Sequence, residues 1–160
     1  MVKIDLRTVI EAPIRRCFDL ARSIEVHLLG TEGTGEEAIG GVTTGLLGPG
    51  QFVRWRARHL GVKQQLASEI TAYDRPVFFQ DTMIEGAFRF MQHDHFFAEM
   101  APNLTEMKDH FVFEAPFSIL GLAAEALLLR RYMIKFLLHR NGTLKRVAES
   151  DRWAGLLPPD

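Results

Sequence analysis

Asp81, His93, Asp94, His95, Asp109 and His110 are titratable residues set in runs otherwise built from Phe, Met, Val and Ile. His93 and His95 are separated by one residue, so an extended chain puts both on one face. Read at every second position, Asp81, His93, His95 and Asp109 share a side of their strands. Two or three histidines with a carboxylate form a metal-ligand set. The same residues also suit acid–base work, because a carboxylate fixes the tautomer of its imidazole. His59 shares a strand face with Trp55 and extends the candidate set. Residues 89–98 are ambiguous in phase. Met91, His93, His95 and Phe97 compete with Phe90, Gln92, Asp94 and Phe96 for the inner face, and the second choice would turn the histidines to solvent.

These residues need elements to hold them, and the sequence supplies seven strands and three helices. Residues 2–11 alternate as a half-buried strand. Pro13 suits a first helical turn, and Ile14, Phe18 and Ala21 follow at helical spacing. Ser23 is placed to cap a second short helix through Leu29. Residues 30–50 hold eight of the thirteen glycines and read as turns around one short strand near Ala38–Val42. That stretch matches no phosphate-binding loop. Five strands follow: QFVRWRARHL, KQQLASEITAY, VFFQDTMI, RFMQHDHFFAE and EMKDHFVFEA. Short turns between them imply an antiparallel meander. Pro116 is expected to stop the last strand. Residues 118–149 then read as one helix, with Ile119, Leu122, Ala126, Leu129, Met133, Phe136, Leu137, Leu144 and Val147 on one stripe. Asn141-Gly142 is its weak point, and LLPPD is a loose tail.

The length of 160 residues fits one domain, 1–160, with a substantial core. The net charge of -1 gives no case for nucleic acid. No apolar run reaches the length of a membrane span; Leu120–Leu129 is interrupted by Glu125. One cysteine excludes an intrachain disulfide, and Cys17 reads as a small buried hydrophobe. With no apolar leader, the chain reads as cytoplasmic. Arg54, Arg56 and Arg58 read as a solvated outer face paired with Glu69 or other carboxylates. His27 stands between exposure and the mouth of a pocket. No nucleophile motif occurs, and no cofactor or metal is assigned.

The order strand, two short helices, six strands and a long helix resembles that of the SRPBCC superfamily, which includes START lipid-transfer domains, the birch-pollen allergen family and polyketide cyclases. EAPIRRCFDLA is similar to its first strand-to-helix passage. GLLGPGQFVRWRARHLG, DRPVFFQDTMIEGAFRFMQHDHFF and LLLRRYMIKFLLHRNGTLKRVAE resemble a bacterial ligand-binding branch. Some members of that branch are labelled cell-division inhibitors, and some are joined to sugar-nucleotide epimerase-like domains. The resemblance implies an α+β helix-grip (START-like) fold. A curved seven-stranded antiparallel sheet would wrap around a long C-terminal helix, with two short helices after strand 1. It also implies an apolar pocket between sheet and helix, and it carries over no catalytic set.

Three functions follow as expectations. The first is binding of a small apolar or amphipathic molecule (a lipid, polyketide or aromatic compound). Trp55, Phe79, Met83, Phe97, Phe111 and Phe113 would form the apolar wall, with Met133, Phe136 and Leu137 from the helix. His59, Asp81, His93, His95 and Asp109 would hold the polar end. The second is a cyclase or aromatase using one His–Asp pair. The third is a protein-interaction module linked to cell division or an epimerase-like partner, which a filled core would favour.

Overall fold

A computed structural model describes residues 1–115 and 122–158, with backbone alone for 122–126. The predicted stop at Pro116 and the predicted helical positions 118–121 lie outside the described residues. So do 159–160 of the tail and the side chains of Leu122 and Ala126.

β1 (Val2–Ile10) leads into α1 (Ile14–Ala21) and α2 (Ile24–Leu29). Ser23 caps α2 as expected, its Oγ accepting from the Val26 amide. Two short 3-10 turns, Glu32–Thr34 and Asp151–Gly155, are additions to the expected elements. The remaining strands are β2 (Glu37–Gly41), β3 (Phe52–His59), β4 (Val62–Asp74), β5 (Phe78–Glu85), β6 (Phe90–Ala101) and β7 (Leu104–Glu114). α3 runs unbroken from Leu122 to Ala148, through Asn141-Gly142.

The seven strands form one antiparallel sheet in the order β1-β7-β6-β5-β4-β3-β2. The meander is therefore closed by β1 pairing with β7. Register shifts at Ala38/Gly40, Ala67/Ser68, Ile70/Ala72 and Glu99/Ala101 interrupt the ladders. Such bulges bend a strand and increase its twist, which curves the sheet toward α3.

Two packed regions flank the sheet's concave side. Phe18 of α1 meets Tyr73, Phe79 and Phe97 edge-on, each with ring centroids 5.4 Å apart. Cys17 is fully buried beside Phe18, as its small apolar reading requires. The second region joins Ile4, Met91, Phe111 and Phe113 to Met133 and Leu137 of α3. Between them the concave side is left open. The arginines of β3 face outward, with Arg54 pairing Glu85 and Arg56 pairing Glu37 rather than Glu69.

Candidate functional site

Across β5, β6 and β7 the register makes a checkerboard. His93 lies opposite Asp81 on one side and Phe111 on the other, while His95 lies between Phe79 and Asp109. The odd face of β6 turns inward: Met91, His93, His95 and Phe97 are all buried. Asp94, on the even face, accepts from Gln80 and Gln92 outside the sheet. His110 also faces outward and contacts Asp5.

The polar bonds run along the diagonals of that checkerboard, which cross-strand neighbours can reach. His93 Nε2 lies 2.9 Å from Asp109 Oδ1, and His95 Nε2 lies 3.2 Å from Asp81 Oδ2. His95 Nδ1 is 3.0 Å from the same Asp109 oxygen. That contact is short but misaligned, and Nδ1 is the one buried side-chain polar atom without a hydrogen bond among the described residues. Asn141 of α3 donates to the other Asp109 oxygen at 2.6 Å. Phe79 stacks on His95 at 4.2 Å between ring centroids.

Charge follows from these contacts. Burial would raise the Asp109 carboxyl, but the adjacent His93 and His95 outweigh that and hold it far below the usual range. Burial would likewise raise Asp81, and His95, His93 and Arg140 together hold it low. Burial and the adjacent His95 depress His93. For His95 burial is again the largest influence, yet Asp109 and Asp81 outweigh it and hold the imidazole above its ordinary value.

A cavity of about 450 Å³ opens in front of this cluster, between the concave sheet and α3. Of the expected wall, Trp55, His59, Asp81, His93, His95, Phe111, Met133, Phe136 and Leu137 line it. Phe79, Phe97 and Phe113 do not. They are consumed by the two packed regions on the same concave side of the sheet. Met83 packs against the second region and also misses the cavity. Asp109 sits behind the two histidines, screened from the cavity by the rings it supports.

Four residues that the sequence reading passed over or left open complete the wall. His27 lies within α2 and lines the cavity. Its ring stacks on Trp55 with centroids 4.0 Å apart, and Nε2 is 3.0 Å from Glu36. Burial and the charge of Arg140 push His27 down, so the neutral ring donates Nε2–H to the Glu36 carboxylate. The Tyr132 hydroxyl and His59 Nδ1 share a hydrogen bond of 2.6 Å; burial depresses His59 and raises the phenol. Arg140 also lines the cavity, with no hydrogen bond or ion pair among the described residues. α3 can bring Arg140 close because of Gly30, where an added Cβ would stand 3.1 Å from the Arg140 Cα. A signal for Arg140 did exist. Met133, Phe136, Leu137, Arg140 and Leu144 follow one helical stripe, and an arginine on an apolar stripe needs a polar destination. Glu36, in a glycine-rich loop, gives no such signal.

No known protein-family profile matches the chain, and no curated protein matches it. Solved structures do. Protein TTHA0849 from Thermus thermophilus superposes with a TM-score of 0.75 at 18% identity, covering 96% of this chain and 98% of that one. A START superfamily protein from Mycobacterium smegmatis gives a TM-score of 0.70 at 10% identity, over 92% and 97% of the two chains. Ginseng major latex-like protein 151 from Panax ginseng gives 0.67 at 15%, over 93% and 98%. At these identities the likeness is one of fold, and the chain has the START-like helix-grip fold.

Proposed function

We propose that this protein binds one small amphipathic molecule in the cavity between the sheet and α3. The observation that carries this reading is the cavity itself, about 450 Å³, with a largely apolar wall that also carries Asp81, His93, His95 and Arg140. Its size lies within the range of small-molecule sites. Trp55, Phe88, Phe111, Met133, Phe136 and Leu137 offer the apolar part a surface. Burying about 200 Å² of apolar ligand surface is worth about 5 kcal/mol before ordering costs. Arg140 and the Asp81–His93–His95 group select the polar end, since a buried polar group left without a partner rejects the wrong ligand. The fold neighbours in the START superfamily support the same reading by analogy of architecture.

Trp55 reports on the site, because it lines the cavity while Trp153 lies under the Arg16 guanidinium elsewhere. Titration with 1-anilinonaphthalene-8-sulfonate is expected to saturate at one site and to quench Trp55. The substitution Ala57→Phe intrudes into the cavity from β3 and is expected to weaken the probe at least tenfold with the protein still folded. Equal binding by that variant would place the probe on the surface and remove the support.

A further inference from the structure

We propose that Asp81, His93 and His95 form a site for one divalent first-row transition ion, zinc being the simplest, in the wall of the cavity. One ring nitrogen of each histidine and one oxygen of Asp81 already lie within 4.8 Å of one another. Metal–ligand bonds of about 2.0–2.2 Å in a tetrahedral site require ligand atoms about 3.3 Å apart. The His95–Asp81 separation of 3.2 Å meets that distance.

The second observation lies behind the ligands. A metal-bound histidine characteristically presents its other ring nitrogen to a carboxylate, which fixes the tautomer and the ring plane. Here a single carboxylate oxygen serves both rings: Asp109 Oδ1 is 2.9 Å from His93 Nε2 and 3.0 Å from His95 Nδ1. That arrangement leaves Nδ1 of His93 and Nε2 of His95 as the donors. His95 Nδ1, buried and without a hydrogen bond, lies beside that carboxylate. Asn141 anchors the far oxygen of Asp109, tying this support to α3. Each part of a ligand shell and its backing is therefore in place on three adjacent strands.

All three ligands line the cavity, so at least one coordination position would face it. Two histidines, one carboxylate and an open position make a site that polarises an oxygen of whatever enters. Two carboxylates, Asp81 and Asp109, lie at the site against the two imidazoles. The site stands on this donor geometry and does not depend on the ligand proposed for the cavity.

The test is a titration of the untagged full chain with Co²⁺ after dialysis against a chelator, followed by visible absorption and by Zn²⁺ competition. The expected result is a cobalt band that saturates at one equivalent and is erased by Zn²⁺. Asp81→Ala and His93→Gln should each lower the affinity at least 100-fold. Asp109→Asn, which touches no metal, should lower it about 10–100-fold. His110→Gln, on the outer face, should leave it unchanged. Circular dichroism establishes that each variant is folded. Should His93→Gln fail to fold, Asp81→Ala decides alone, since the Asp81 side chain is the more exposed of the two, at 19% against 3%. The absence of a saturable band in the native chain, or a band that survives Asp81→Ala, would overturn the proposal.

Discussion

Asp19 shows how one residue can secure the edge of the cavity. It is a buried carboxylate on α1 that accepts from Arg22 and from Arg75, the latter in the turn between β4 and β5. Burial would raise its pKa, but the two guanidiniums outweigh that and hold it below the usual value. A carboxyl whose folded pKa is depressed binds its proton more readily in the unfolded chain. Its stabilisation is therefore complete above the unfolded value of about 3.9 and is lost as pH falls through the folded one. Asp19→Asn is expected to lose about 3 kcal/mol at pH 7, the lower end for breaking a buried pair because Arg75 is partly exposed. Urea unfolding of both proteins at pH 7 and at pH 3 checks this, and the gap between them should narrow at the lower pH. A constant gap would mean that Asn fails through packing instead of charge.

Among the elements, the β3–β4 turn has an unusual composition. Leu60 and Gly61 both have positive φ, 51° and 82°. Turns of that type favour Asn-Gly, and a leucine there is strained. Leu60 is 58% exposed and also lines the cavity, so its side chain forms an apolar lip. Leu60→Asn is expected to raise stability by about 1 kcal/mol while weakening an apolar probe in the cavity. Thermal melts and probe titration measure the two effects separately; unchanged probe affinity would show that the lip has no part in binding. The strands themselves were legible because their alternation and turn residues agree. The curvature was not, since bulges such as Ala67/Ser68 place consecutive residues inward and carry no composition of their own. Nor did β6 declare its phase, having apolar and polar residues on both faces. Only pairing with β5 and β7 decides it, by placing Asp81 and Asp109 where the histidines can reach them. The missing Phe79, Phe97 and Phe113 have a similar cause. Period two tells which side of the sheet a ring occupies, but the concave side holds both packed core and open cavity.

At the scale of the whole molecule, one helix face both packs and lines. Leu137 and Met133 of α3 belong to the second packed region and also to the cavity wall. Arg140 and Asn141, one turn further on, carry polarity into the same interior. Among the described residues no helix is long and apolar enough to cross a membrane. A filled core would have favoured a purely protein-binding role, and the cavity removes that argument. An enzyme of the acid–base type would use the same wall, so occupancy of the cavity comes first in any functional order. The most direct measurement is a native mass spectrum of the purified chain beside Ala57→Phe, each compared with its denatured mass. The account predicts a discrete organic adduct of a few hundred daltons (the size class of ligands for such cavities), as purified or after incubation with 1-anilinonaphthalene-8-sulfonate. The adduct should be much reduced on Ala57→Phe. A bare native chain under both conditions, or an equal adduct on Ala57→Phe, would contradict it.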